Sequence, residues 1–282
     1  MGIFLKGTVM ARKAGIVVAM GVILSVANTG VIAQGDMGLG DVSFEVTADF
    51  YGKYIWRGQN FTNGTVFQPG VSASSGGFTL SAWGNYELVR VNNNRDEFTE
   101  IDLTLDYSFD CPRVENMSYS VGVIYYDFPE VASPAVAPSR ENTTELYVGG
   151  GFDCMLNPTV TWYQDVDAVD GSYLSFGVSH SIENVVEVIE GSPVSVDCSA
   201  SLGWGEGSYN NFYWGHLSTG PDSELNDLVL SLAVPFEYAG ISISPSVTYI
   251  QIVGSDIENG LKAAGAADDF VFAGVSFAKS FK

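Results

Sequence analysis

The sequence predicts an all-β protein: a closed antiparallel transmembrane β-barrel of the outer-membrane type, with an even strand number of about 12. Three observations predict it. Many segments alternate apolar and polar side chains, the polar connections between them are alternately short and long, and the N-terminus has the pattern of an export signal. Strict alternation is typical of strands whose two faces meet different surroundings.

The composition excludes several classes of protein. The 282 residues include 33 Asp and Glu against 12 Lys and Arg, a formal net charge of −21. Nucleic-acid binding needs basic residues to neutralise phosphates, so we expect no such partner. An aromatic content of 13% argues against intrinsic disorder. With two His and three Cys, a zinc-finger type of metal site is excluded, and we expect no metal and no cofactor.

The N-terminal segment predicts export. A basic region precedes an apolar run from Ala14 to Ala27, and small or β-branched residues lead to a cleavage position after Ala33. A membrane anchor is the alternative, but the run is shorter than the ~20 apolar residues of a membrane helix. We therefore expect a signal peptide at 1–33 and an outer-membrane barrel domain at 34–282. Removal of the signal leaves 9 basic residues against 33 acidic ones, a net charge of −24.

The first strand illustrates the alternation. Phe44, Val46 and Phe50 lie on one face, and Glu45 and Asp49 lie on the other. No helical period of 10 residues or more is convincing in the mature chain, and Pro residues within some of the strands predict bulges or strand ends. The predicted strands are 42–57, 65–75, 77–89, 98–109, 116–128, 142–153, 158–167, 172–182, 193–205, 225–237, 240–253 and 270–281.

The connections between these strands decide between a barrel and a soluble sandwich. Tight turns alternate with long polar segments at 90–97, 129–141, 206–224 and 254–269, as in barrels with short periplasmic turns and longer extracellular loops. The segment 183–192 is too long for the short turn that this alternation requires. In lipid the sheet must close, because an open edge would leave backbone N–H and C=O groups unpaired in hydrocarbon.

Aromatic residues near strand ends are typical of the girdles that barrels place at the two membrane interfaces. The last strand ends in an apolar face with Phe281, similar to the C-terminal signature that the barrel assembly machinery recognises, although Lys282 follows it. Outer-membrane lipid and this machinery are therefore the expected partners. The girdle candidates are Tyr54, Trp56, Tyr86, Tyr125, Trp204, Tyr213 and Trp214.

Short motifs in the first third of the mature chain resemble those of a known family. They are Lys53-Tyr-Ile-Trp-Arg-Gly58, Gln68-Pro-Gly70, Gly77-Phe78 and Ala82-Trp-Gly84. Together they are similar to the Gcw_chp family of bacterial outer-membrane-like proteins. The resemblance implies an exported β-barrel and carries neither an established substrate nor catalytic residues.

The polar face of the strands predicts the lining of a pore. If the lumen is open, its carboxylates favour cations and repel anions, and the solutes are small and polar or cationic. If it is plugged, the same acids hydrate the interior or pair with the two bases, with Arg57 bracing neighbouring carboxylates. The predicted pore-lining residues are Glu45, Asp49, Lys53, Arg57, Trp83, Glu87, Glu100, Asp102, Asp106, Glu145, Tyr147, Asp165 and Asp197.

Aromatic side chains also fall on this inward face, where they fill the lumen or, in an alternative, stack on the rings of a carbohydrate or nucleoside. They include Tyr51, Tyr126, Tyr163 and Tyr173.

The sequence argues against an enzyme. General bases are most often His, and His180 alternates with lipid-facing residues while His216 lies in a predicted loop. Cys111 and Cys154 fall in two short periplasmic turns, and a disulfide between them is a hypothesis for that oxidising compartment.

The sequence thus predicts a porin-like passive channel. A plugged structural or surface-interaction barrel and a secreted soluble β-sandwich remain the alternatives, and the oligomeric state stays open.

Overall fold

A computed structural model describes residues 42–90, 96–129, 141–189, 192–217 and 222–282. Its main sheet is built from antiparallel strands that are neighbours in the chain. The strands are β1 (Ser43–Tyr51), β4 (Val66–Ser75), β5 (Phe78–Glu87), β6 (Glu97–Asp110), β7 (Met117–Asp127), β8 (Thr143–Phe152), β9 (Thr159–Asp165), β10 (Ser172–Ile189), β11 (Ser192–Gly205), β12 (Glu224–Ala233), β13 (Phe236–Tyr238), β14 (Ile241–Ile252) and β15 (Asp269–Phe281).

The sheet closes into a barrel. β1 pairs with β4 on one side and with β15 on the other, and β14 pairs with both β15 and β12. β13 continues β12 beyond Pro235, which cannot donate to the ladder, so the described strands form a ring of twelve. The predicted fold class is confirmed, and each predicted strand corresponds to a strand of the ring.

The two faces of the barrel are the reverse of those of a soluble protein. Phe44 and Leu103 are each 49% exposed on the outer surface, while Asp102 is 3% exposed on the interior face of β6. This arrangement suits a hydrocarbon solvent, in which apolar side chains point outward.

The ends of the barrel differ in their connections. Short turns join the strands at the end where β1 begins, which we call the inner end, and the longer connections lie at the outer end. The predicted exception at 183–192 is a misplaced strand boundary. β10 continues to Ile189 and pairs with Ser192, so only residues 190–191, which lie outside the described residues, remain between the two strands.

The first predicted strand is too long. β1 ends at Tyr51, and the chain then forms a separate hairpin of β2 (Tyr54–Trp56) and β3 (Gln59–Thr62). Two outer connections contain the helices α1 (Gly207–Trp214) and α2 (Ser255–Ala263). Within the described residues, neither helix has the length and apolarity to cross a bilayer.

Four of the predicted girdle residues are not at an interface. Tyr54 and Trp56 belong to the hairpin, Tyr213 and Trp214 belong to α1, and all four are buried. They pack in a cluster with wall residues that face the interior, such as Tyr126. The hairpin and α1 therefore turn into the barrel instead of standing at its rim.

The hypothetical disulfide is not formed. Cys111 and Cys154 are free thiols in turns that follow β6 and β8. β7 lies between these strands, so the two turns are two strand spacings apart, roughly 9–10 Å. Disulfides need Cα atoms within about 7 Å.

Candidate functional site

The β2–β3 hairpin has a tight turn that places a charged side chain at its tip. Arg57 and Gly58 both have positive φ angles, of 46° and 81°, as in the two-residue turns that match the twist of a hairpin. A Cβ atom on Gly58 would lie 2.5 Å from Ile252 Cδ1, so the turn packs closely against the barrel wall. A left-handed conformation costs a non-glycine residue about 1–2 kcal/mol, so contacts elsewhere must hold Arg57 in place.

The strongest of these contacts is a buried ion pair. Arg57 Nη1 and Nη2 donate to Glu145 Oε1 and Oε2 at 2.7 and 2.8 Å. Tyr126 Oη donates to the same carboxylate at 2.8 Å. Burial lowers the pKa of the Arg57 guanidinium, but Glu145 together with Tyr209 and Tyr126 outweighs burial and holds this pKa well above its ordinary value. The hairpin tip is thus tied to β8 by a bidentate pair, the geometry in which arginine binds carboxylates best.

Aromatic rings enclose the same guanidinium. Its carbon lies 4.4 Å from the ring centroid of Tyr163, 4.3 Å from that of Tyr173 and 5.7 Å from that of Tyr209. We call Glu145, Tyr163, Tyr173 and Tyr209 the cation box. Trp56, on the hairpin itself, stacks over the guanidinium at 4.5 Å. Cations within about 6 Å of such rings are attracted by the ring quadrupole, so the box favours a positive charge.

A hydrogen bond and close packing on the barrel wall hold the Tyr173 ring of the box in place. Tyr173 Oη donates to Asp227 Oδ1 at 2.8 Å, and this hydrogen bond runs over Gly203 on the strand between them. A Cβ atom on Gly203 would lie 1.9 Å from Tyr173 Oη, so only glycine leaves room for the ring. Burial raises the pKa of the Tyr209 phenol, which therefore stays neutral beside the guanidinium.

The rest of the hairpin packs against α1 and the wall. Trp56 meets Tyr213 edge-on with ring centroids 5.3 Å apart, and Thr62 Oγ1 donates to Glu87 Oε1 at 2.7 Å. Ile55 is completely buried. The hairpin, α1 and the inward side of α2 together fill the outer part of the interior, and we call this assembly the plug.

The inner part of the interior has a different lining. Hydroxyl side chains succeed one another around the wall, for example Ser72 opposite Ser81 and Ser199 opposite Ser231, and these four are half-buried. In the described strands, no Lys or Arg side chain lies on the inward face of this part. The interior beneath the plug is therefore polar and partly accessible to solvent, its charged wall residues are acidic, and we call it the inner cavity.

The predicted pore-lining residues divide between the two parts. Glu87, Glu100, Asp102, Glu145 and Asp165 are buried at the level of the plug, and Trp83 packs against the plug core. Lys53, at the base of the hairpin, donates to Asn63. Glu45, Asp49 and Asp106 are half-buried on the wall, Asp197 lies near the inner end, and Tyr147 donates to Asp106 Oδ2 at 2.6 Å.

Sequence reasoning missed two members of this site. Tyr209 and Asp227 were not expected inside the barrel, because Tyr209 lies in a connection and Asp227 near a strand end. The aromatic spacing of Tyr209, Phe212 and Tyr213 along one short helix was the available signal.

The two histidines of the chain are not part of the cation box. His180 is exposed on the outer surface, with Nδ1 2.7 Å from the Met155 carbonyl oxygen, and His216 follows α1. Across the described residues, no group of three His, Cys, Asp or Glu side chains is arranged to hold a metal ion.

Part of the chain matches a known protein family. Residues 37–191, more than half of the 282, match Gcw_chp, described as a bacterial protein of unknown function. The chain is a member of the Gcw_chp family. The matched region contains the hairpin with Arg57 and the wall residues Glu145, Tyr163 and Tyr173, so most of the cation box lies within the part that defines the family.

Three of the solved structures with a similar fold are 9–10% identical to this chain, and no curated protein matches it. LpxR from Salmonella typhimurium is 10% identical, with 84% of this chain and 99% of that chain covered and a TM-score of 0.49. The KdgM porin in complex with disordered oligogalacturonate is 9% identical, with 85% and 99% covered and a TM-score of 0.47. An outer-membrane channel from Pseudomonas putida F1 is 9% identical, with 89% and 100% covered and a TM-score of 0.45.

Proposed function

We propose that this Gcw_chp protein is a gated outer-membrane channel for small polar or cationic solutes, whose resting state is closed by the plug. The observation that carries the proposal is the position of Arg57. The hairpin leaves the wall after β1 and crosses the interior, and its tip is tied to β8 by the pair with Glu145 at 2.7 Å. Residues 1–33 act in this proposal as the signal peptide that directs export.

The cavity beneath the plug supports a passage for solutes. Its hydroxyl lining offers hydrogen bonds without an apolar barrier, and the carboxylates of Glu45, Asp106 and Asp197 lie on its wall. Clefts lined by one sign of charge between low-dielectric walls concentrate the opposite charge. A channel that opened above this cavity would therefore pass cations more readily than anions.

In this proposal the closure is reversible because it depends on the ion pair between Arg57 and Glu145. Arg57 strains its own backbone at φ 46° and has the carboxylate of Glu145 as its hydrogen-bonded counterion. Loss of that carboxylate leaves a buried guanidinium without a counterion, which strongly favours its transfer to water. We expect the hairpin to leave the lumen when this happens.

Planar-bilayer conductance tests the proposal. The wild-type barrel should be silent or open rarely, and Glu145→Ala should give frequent cation-selective steps. Glu237→Ala removes an exposed carboxylate at the inner end and serves as the control, with wild-type behaviour expected. A Glu145→Ala barrel that is folded, as judged by heat-modifiable gel mobility, and yet as silent as the wild type would contradict the channel.

That contradicting result would favour a sealed barrel with a structural or surface-interaction role. One observation supports this second candidate: the plug draws aromatic side chains from separate segments into one packed cluster, including Trp56 and Phe61 from the hairpin and Tyr213 from α1. Dense packing of this kind resists opening.

A further inference from the structure

The cation box has the chemistry of a ligand-binding site, and its present occupant is a side chain of the same protein. The carbon of a planar guanidinium lies 4.4 and 4.3 Å from the ring centroids of Tyr163 and Tyr173, and both of its terminal nitrogens donate to one carboxylate. Aromatic rings and a bidentate carboxylate are the groups that proteins use to recognise organic cations and guanidinium groups.

The wall residues of the box, Glu145, Tyr163 and Tyr173, do not depend on the hairpin for their geometry. Glu145 and Tyr163 are on the adjacent strands β8 and β9, and Tyr173 is on β10. Tyr126 donates to Glu145 and Tyr173 donates to Asp227, at 2.8 Å in each case, and none of these four residues belongs to the hairpin. The wall residues therefore stay oriented when the guanidinium is removed.

The inner part of the barrel is the side from which we expect a solute to approach the box. Directly below Tyr163 on the same face of β9 are Thr161 and Thr159, and both are half-buried. The acidic cavity beneath them attracts cations and contains no competing Lys or Arg on its described wall. The route from the inner end thus leads through a region that concentrates positively charged solutes.

We propose that the cation box is a binding site for solutes that carry a guanidinium group, and that Arg57 occupies it in the closed state as a built-in substitute for such a solute. The inference rests on the proposed function, since it names the solute class that the gate and its cavity would handle. A solute that takes the place of Arg57 supplies the charge that Glu145 needs and leaves the hairpin tip without its anchor.

Arg57→Gly creates the empty box with little cost to the backbone. Position 57 has a positive φ, which glycine adopts more readily than arginine, so the hairpin turn is kept. Ethylguanidinium is the probe, because it has the planar fork of the arginine side chain and a short apolar tail. Calorimetry on the purified barrel in detergent measures its binding.

Ethylguanidinium should bind Arg57→Gly saturably, about tenfold or more tightly than it binds the wild type or the double variant Arg57→Gly/Glu145→Gln. Ethylammonium, which has no fork, should bind Arg57→Gly more weakly. Equal binding to the single and double variants, or no binding to Arg57→Gly, would overturn the inference.

Arg57→Lys is a second test variant, to be used if Arg57→Gly does not fold into the barrel. In Arg57→Lys, ethylguanidinium should displace the lysine ammonium group from the box more effectively than ethylammonium does. Equal displacement by the two compounds would overturn the inference. The measurement is independent of conductance. A barrel that binds ethylguanidinium but never conducts would support the binding site and contradict the channel. A barrel that conducts but does not bind ethylguanidinium would support the channel and contradict the binding site.

Discussion

The outer and inner parts of the barrel interior are built from the same twelve strands but are packed in opposite ways. At the outer end the carboxylates of Glu87, Glu100 and Glu145 are at most 1% exposed, and aromatic side chains fill the space between the walls. At the inner end Ser, Thr and Gly make up much of the wall, and side chains such as Ser72, Ser81, Ser199 and Ser231 are half-buried. The difference shows that strand alternation only separates interior from lipid. The segments between strands decide whether the interior is filled.

The two parts also handle charge differently. Two of the outer carboxylates have specific donors: Arg57 and Tyr126 for Glu145, and Thr62 for Glu87. At the inner end Glu45 accepts from Ser280 at 3.0 Å near the rim, where water remains close. Buried charges must be paired because desolvation is expensive, whereas hydrated ones need not be. Substitutions in the two parts should therefore differ strongly in cost.

The largest difference is expected between Glu145→Ala and Glu45→Ala. Glu145→Ala leaves Arg57 buried without a counterion and should lower the free energy of unfolding by about 3–5 kcal/mol. Glu45→Ala removes a half-exposed carboxylate with one hydrogen bond and should cost about 1 kcal/mol or less. Urea unfolding in detergent, followed by heat-modifiable mobility, measures both. Equal midpoints for the two variants would show that the outer part is as hydrated as the inner part.

A smaller effect is expected from added volume at the wall. Gly203→Ala places a methyl group against Tyr173 Oη and Asp227 Oδ1 and should destabilise the barrel by about 1–3 kcal/mol. Gly150→Ala is the matched control, because its nearest contact would be at an ordinary 3.5 Å. The same urea titration compares them. A Gly203→Ala barrel as stable as the control would mean that Tyr173 is not held over the wall.

Thiol labelling can separate the two parts directly. In a background with the three native cysteines replaced by serine, a water-soluble maleimide should label Ser179→Cys, on the half-buried inner wall, readily. Thr62→Cys, which is fully buried in the hairpin, should react at least about tenfold more slowly. Each ~1.4 kcal/mol of opening free energy lowers the reactive population tenfold. Similar rates at both positions would indicate an open lumen without a plug.

The smallest expected effect concerns ion selectivity in the opened barrel. Adding Asp106→Asn to Glu145→Ala should lower the cation preference, because Asp106 lies on the wall of the inner cavity. Asp110→Asn, at the exposed end of the same strand, should change it less, since salt screens exposed charges. Reversal potentials in a salt gradient measure the preference. A larger shift from Asp110 than from Asp106 would argue against an inner selectivity region.

Much of the barrel was predictable from the sequence, and the site was predictable only in part. The alternation in β1 and β6 identified which side chains face lipid, and Phe44 and Leu103 are exposed as expected. Arg57 and Glu145 were both expected on the polar face, but their partnership was not specified. Tyr209 was missed because it lies in a connection between strands, and Asp227 was missed because it comes just before the alternating run that begins at Leu228.

The first predicted strand ran too far for a physical reason. Residues 52–57 continue a pattern of aromatic and polar residues that suits a strand at a membrane interface as well as a hairpin. The positive φ angles of Arg57 and Gly58 reverse the chain after β2. No local preference distinguishes a strand that continues up the wall from one that turns inward, because both satisfy the backbone hydrogen bonds.

The sequence by itself predicted about twelve strands, the closure of the sheet and the inversion of its two faces, since a two-residue period and the need to pair every backbone group in lipid leave few other solutions. Only the tertiary structure decided that the outer interior is filled and that Arg57 meets Glu145 across 88 residues of chain. Such a contact depends on which wall lies opposite the hairpin once the ring has closed, and no local pattern of side chains records that distance.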